Sequence, residues 1–206
     1  MSLLVVVGAG DHGRVVLEIL RATGEAPDGF VEPGRAAAGE VDGLPVIGSL
    51  AEPGWASPGT RFVVAIGDAR ARRDAFERCV AIGLTPVAAV HPTAHLLAGA
   101  VVEPGAMVCA GAVVGVAARV GADAIVNTGA TVDHDNDLGV HSTIAPGAHL
   151  AGRVSVGEGA FVGIGASVRE GCHIGDGAYV AGGAMVIEDV PPGARVAGVP
   201  ARPMAT

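Results

Sequence analysis

No lysine occurs anywhere in the 206 residues, which excludes both a phosphate-gripping P-loop lysine and a Schiff-base lysine. Thirteen basic residues stand against 21 carboxylates, for a formal charge of −8, and no basic stripe offers itself to nucleic acid. Cysteine is nearly missing. Cys79, Cys109 and Cys172 form no CxxC pair and are odd in number, so there is neither a disulfide framework nor a zinc signature, as fits a reducing cytoplasm. Aromatic residues make up 3% of the chain, too few for a core of large rings. The interior must instead be filled by Val, Ile and Leu, about a quarter of the residues, packed at close range. The apolar runs fall far short of the roughly 18 to 20 residues that cross a bilayer. The opening MSLLVVVGAG has no basic flank, unlike an export signal. A soluble, cytoplasmic protein without membrane insertion is expected, with chemistry limited to His, Asp, Glu, Arg and backbone groups.

What is present changes character near Pro86–Val90, which predicts two domains, 1–88 and 89–206. In the first, LLVVV at 3–7, FV at 30–31, PVI at 45–47 and RFVVAI at 61–66 read as strands. His12–Ala22, with Val15, Val16, Ile19 and Leu20 at helical spacing, and Ala69–Ile82 read as helices. This pattern predicts a short α/β unit on a parallel sheet. Gly8, Gly10 and Gly13 form a GxGxxG directly after the first strand, with Glu32 about 20 residues on, the spacing of a dinucleotide fingerprint. Its physical content is a set of backbone N–H groups and a helix dipole aimed at a phosphate or a hydroxyl-rich ligand. It does not demand NAD, because the residues ahead of the second domain are too few for both mononucleotide-binding halves.

From Val90 to Val186 every sixth residue is aliphatic, at seventeen successive positions. Chance would produce this about once in 10¹⁰, and a hexad period is the signature of a parallel β-helix. A small residue, usually Ala, falls two places before nearly every aliphatic one. Gly105, Gly111, Gly129, Gly147, Gly159, Gly165, Gly171, Gly177 and Gly183 supply corners that need positive φ. A rod that only displays surface would show the same repeat.

His134 lies at one of these corners in Asp133-His134-Asp135. An imidazole suits the removal of a proton near neutral pH, and a neighbouring carboxylate can orient the ring and stabilise its charged form. The structural alternative is a solvated corner histidine in an acidic patch. His141, His149 and His173 read as solvated corner or face residues, and His91 as a cap on the first coil.

The motifs VVEPGAMVCAGAVVG, TVDHDNDLGVHSTIAPGAHLAG and VAGGAMVIEDVPPGARVAGVPARPM resemble the hexapeptide-repeat acyltransferases. Together with VVVGAGDHGRVV, FVE at 30–32, AIGDARAR at 65–72 and VHPTA at 90–94, the whole chain resembles the sugar O/N-acetyltransferases of the sialic acid O-acetyltransferase and nucleotide-aminosugar N-acetyltransferase type. The resemblance implies a Rossmann-like N-terminal domain followed by a left-handed β-helix. It also implies a homotrimer with acetyl-CoA bound between neighbouring helices; no metal is expected, since His134, His141, His149 and His173 match no recognised ligand spacing.

By the same resemblance His134 is the general base, Asp135 its helper and the Gly152 N–H the donor to the developing oxyanion. Ile164 and Gly182 line the CoA arm. Thr143 stands where some members carry a second histidine that contacts the thioester or CoA, unless His141 substitutes for it. The loop Gly10-Asp11-His12 would hold a nucleotide-linked sugar, flanked by Glu32 and Ile66-Gly67. Family members often have two aspartates where this chain has Glu32-Pro33, so recognition of base and ribose is expected to differ.

The implied function is acetyl-CoA-dependent N-acetylation of a nucleotide-linked 4-amino-4,6-dideoxy sugar for surface-glycan or glycoprotein synthesis. The alternatives are O-acetylation of sialic acid or another sugar, a β-helix carbonic anhydrase with three histidines on zinc, and an NAD-binding scaffold.

Overall fold

The computed structural model describes residues 2–34 and 39–204. The chain divides into two compact units, one ending at Pro92 and the next beginning at Thr93.

In the first unit the elements run β1 Leu4–Val7, α1 Asp11–Ala22, β2 Gly29–Glu32, β3 Glu40–Val41, β4 Leu44–Ser49, β5 Arg61–Val64, α2 Ala69–Ala81 and β6 Thr85–Pro86. They form a six-stranded sheet in the order β3-β4-β2-β1-β5-β6. The central strands are continuous runs of Val, Phe and Leu because helices cover both faces of such a sheet. Val5, Val7, Val31, Phe62 and Val64 pack with Ala75 and Cys79 of α2, and α1 buries Val16, Leu17, Ile19 and Leu20.

The expected all-parallel sheet needs one correction, since β3 pairs antiparallel with β4. The turn is Asp42-Gly43, with φ of 48° and 77°, the two positive values a two-residue hairpin of this type requires. β1, β2 and β5 are parallel, so the loops after Val7, Glu32 and Val64 gather at one end of the sheet, where ligands bind in open α/β folds.

The second unit is a parallel β-helix of two-residue strands. Strands pair 18 residues apart along most of the β-helix, and 16 apart at its end, where Tyr179 pairs with Arg195, giving three columns. Their outward residues are Met107, Ile125, Thr143, Phe161 and Tyr179 in the first column, Val113, Thr131, His149, Ser167 and Met185 in the second, and Arg119, Asp137, Ser155 and His173 in the third. The hexad residues from Val108 to Val186 all point inward and are buried, whereas Leu96 in the first coil is exposed. Leu138 is fully enclosed, and Leu138→Ala is expected to cost about 2–5 kcal/mol, read as a lower midpoint in chemical denaturation.

The expected glycines do occupy left-handed corners, but five corners are not glycine: Ala117, Asp123, Asp135, His141 and Arg153, with φ between 55° and 60°. A side chain in this conformation costs on the order of 1–2 kcal/mol. The strained corners are concentrated between residues 117 and 153, the stretch that carries His134.

Candidate active site

The loops after β1, β2 and β5 border an open cavity of about 260 Å³, and Gly10, Asp11, His12, Glu32, Ile66 and Gly67 all line it. Six residues expected to hold a nucleotide-linked sugar are therefore brought together within the first unit. The loop reaches this shape because Gly13 has no side chain: a Cβ there would overlap the Gly8 carbonyl oxygen, so any larger residue would push α1 off the loop. Gly10 caps α1 without a side-chain hydrogen bond, which leaves the first amides of the helix and its dipole directed at the cavity.

His12 is half-buried, and its enclosed Nε2 has no hydrogen-bond partner among the described residues. Burial first, and then the charge of Arg72, pushes its pKa below the ordinary imidazole value, so the ring is neutral at neutral pH. Arg72 is completely buried, and its guanidinium donates to the Ile66 carbonyl at 3.5 Å.

The folded state thus disfavours the His12 imidazolium. Below about pH 6.5 the unfolded chain binds more protons at this residue, and stability falls as the pH falls. His12→Gln is expected to reduce that loss, measured as the change in urea midpoint between about pH 7.5 and 5.5. An unchanged pH slope would mean that His12 titrates alike in both states.

In the second unit His134 sits on the turn after the strand Thr131–Val132. Its Nδ1 donates to Asp135 Oδ2 at 2.8 Å, and its backbone N–H donates to Asp133 Oδ1 at 2.7 Å. The side chain is 44% exposed. A carboxylate only accepts, so this bond places the proton on Nδ1 and leaves the lone pair on Nε2. Nε2 and Cε1 lie against Gly152, one coil on, where a Cβ would overlap them both. The Gly152 N–H gives no backbone hydrogen bond among the described residues. A basic nitrogen and an uncommitted amide N–H are thus adjacent, the pairing that acyl transfer uses to take a proton and to stabilise an oxyanion.

Ile164 and Gly182 also come together. A Cβ on Gly182 would stand 3.0 Å from Ile164 Cγ2, and Ile164 is 62% exposed, an apolar shelf at the corner between the first and second columns. The His134 corner lies at the other edge of the second-column face. Thr143 is instead a buried residue of the first column.

The reading of His141 as a solvated residue is corrected. It is 7% exposed, and its Nδ1 is 2.8 Å from Oδ2 of the fully buried Asp123. The two corners stack 18 residues apart, which turns both side chains toward each other instead of toward water. His149 and His173 do remain exposed, bonded to Thr131 at 2.9 Å and Ser155 at 2.7 Å. His91 Nε2 lies 3.4 Å from Glu18 Oε2.

Two residues at these sites carry no functional signature in the sequence. Arg72 looked like one more helix arginine within AIGDARAR. Asn136 interrupts the series of small residues, and that interruption was the available signal. Among the described residues no three His, Cys, Asp or Glu side chains group as a metal site.

Residues 3–79 match the PglD N-terminal domain family, and residues 153–188 match six repeats of the bacterial transferase hexapeptide family. No curated protein matches the chain. Among solved structures, the acetyltransferase domain of PglB from Neisseria gonorrhoeae FA1090, in complex with acetyl coenzyme A, is 39% identical, with 98% of each chain covered and a TM-score of 0.91. PerB from Caulobacter crescentus, in complex with CoA and GDP-perosamine, is 38% identical over 100% of this chain and 98% of that one, with a TM-score of 0.91. WeeI from Acinetobacter baumannii AYE shares the fold at 24% identity, with 99% and 100% coverage and a TM-score of 0.91. Near-complete coverage at this identity, together with both family matches, means that the chain belongs to the hexapeptide-repeat sugar N-acetyltransferases with a PglD-type N-terminal domain.

Proposed function

We propose that this protein transfers the acetyl group of acetyl-CoA to the amine of a nucleotide-linked 4-amino-4,6-dideoxy sugar. The observation that carries this reading is the His134 ring, with Nδ1 on Asp135 and Nε2 against Gly152. As the amine attacks the thioester carbonyl, His134 Nε2 takes its proton, and Asp135 stabilises the imidazolium. The carbonyl oxygen gains negative charge, and the Gly152 N–H donates to it. Collapse breaks the carbon–sulfur bond, forms the amide, and returns the proton from His134 to the departing thiolate. No covalent enzyme intermediate is required, since Cys79, Cys109 and Cys172 are all buried, and burial raises the Cys109 thiol to about 11. The rate enhancement then rests on positioning.

The cavity of the first unit takes the sugar nucleotide. The α1 amides face the diphosphate, the Glu32 carboxylate accepts from ribose hydroxyls, and His12 Nε2 meets the ligand it otherwise lacks. The exposed Ile164 beside Gly182 suits the apolar part of the CoA arm. The protein acts as a cytoplasmic homotrimer with acetyl-CoA between neighbouring coils. PglB and PerB support the reading, the first by its bound acetyl-CoA and the second by its bound CoA and GDP-perosamine.

The test is thiol release from acetyl-CoA with UDP-, GDP-, dTDP- or CMP-linked amino sugars, set beside sialic acid and free amino sugars. Release that requires the nucleotide-linked amine supports the proposal. Release with sialic acid alone would replace it with O-acetylation.

A further inference from the structure

Asn136 stands where most coils have alanine, two residues before an inward aliphatic side chain, and is 1% exposed. Its Nδ2 donates to the Asp133 carbonyl at 2.7 Å and to the Ala151 carbonyl at 3.0 Å. Its Oδ1 accepts from the Val154 N–H at 3.0 Å. The carbonyls can only accept and the N–H can only donate, so the orientation of the amide is fixed by chemistry. Asp133 immediately precedes His134, and Ala151 immediately precedes Gly152. One carboxamide therefore clasps the turn bearing the imidazole to the turn bearing the uncommitted amide.

Stacking of the coils does not need this clasp. The same inward column holds Ala118, Val154 and Cys172, all buried and all without a carboxamide, yet the ladder continues through them. Among the described residues of this column the carboxamide stands only at the level where His134 and Gly152 meet. Gly152 leaves no room for a Cβ beside the ring, so a small slip between the two turns would change where Nε2 points.

We propose that Asn136 is a positioning residue that sets the direction of His134 Nε2 relative to the Gly152 N–H. The inference rests on the acyl-transfer reading of that pair, and it names a residue that acts through its neighbours without touching substrate.

The experiment compares Asn136→Ala and Asn136→Asp with Cys172→Ala, a change in the same column two coils on. Asn136→Asp keeps the size of the side chain and the acceptor for Val154 while losing both donors, so it carries the test if Asn136→Ala fails to fold. For folded Asn136 variants kcat is expected to fall about 10- to 100-fold, with both KM values within about twofold of wild type and Cys172→Ala unchanged.

A second reading needs no turnover. The ring NMR signals of His134, assigned by their loss in His134→Ala, should shift or broaden in the Asn136 variants and stay in place in Cys172→Ala. Unmoved ring signals overturn the proposal, as does wild-type kcat or a loss confined to KM. A wild type that releases no thiol while its ring signals respond as described would instead refute the acyl-transfer reading and leave the clasp standing.

Discussion

His134→Ala is expected to lower kcat for acetyl transfer by about 10²- to 10⁴-fold, with thermal unfolding nearly unchanged. The large kinetic effect follows from where the proton must go. An amine that attacks a thioester becomes more acidic as its nitrogen bonds to carbon, and Nε2 is the basic atom next to the amide that would hold the oxyanion. The small structural effect follows from exposure: the side chain is 44% accessible, and its hydrogen bond is to Asp135, itself an exposed residue. The inward neighbours Val132 and Leu138, which hold the coil, are untouched. Thiol release with a nucleotide-linked amino sugar measures the first effect and a melting curve the second. Wild-type turnover in a folded variant would remove His134 from the chemistry.

Gly152→Ala is expected to cost about 10²-fold in kcat, because misplacing a catalytic group by about 1 Å has that effect. The backbone of Gly152 is not among the positive-φ glycines, so alanine is conformationally acceptable there, and the three heavy atoms nearest the added methyl group all belong to the His134 ring. Either the ring swings off Asp135 or the two turns separate. A double variant distinguishes this from general damage. In the His134→Ala background the methyl group has space, so Gly152→Ala should leave stability unchanged there while lowering it in the wild type. Equal stability losses in both backgrounds would show that the ring is not what the methyl group strikes.

The parts of this molecule that are periodic were legible in the sequence. A hexad from Val108 to Val186 maps directly onto inward positions because each coil repeats the geometry of the one before. The placement of the GxGxxG and Glu32 is legible for a related reason: tight turn, close helix packing and strand end are local demands, and in the structure these loops border one cavity with His12 and Ile66.

What was missed depends on contacts between coils or on depth. His141 and Asp123 are unremarkable corner residues taken one hexad at a time, and become a buried pair only when the 18-residue stacking is imposed. Asn136 was an interruption without meaning until its two carbonyl partners lay in successive turns. Arg72 sits among other arginines in α2, and only packing decides which of them is enclosed. Some of the non-glycine corners place side chains that interact: Asp135 occupies a left-handed position and from there bonds the His134 ring, and His141 bonds Asp123.

The most direct measurement is the identity of the product. Incubated with acetyl-CoA and a nucleotide-linked 4-amino-4,6-dideoxy sugar, the protein should yield a sugar nucleotide one acetyl group heavier by mass spectrometry. That acetyl group should survive mild hydroxylamine, as an amide does. An acetyl group removed by hydroxylamine marks an ester and O-acetylation, and the absence of any acetylated product across the nucleotide-linked amino sugars would contradict the account.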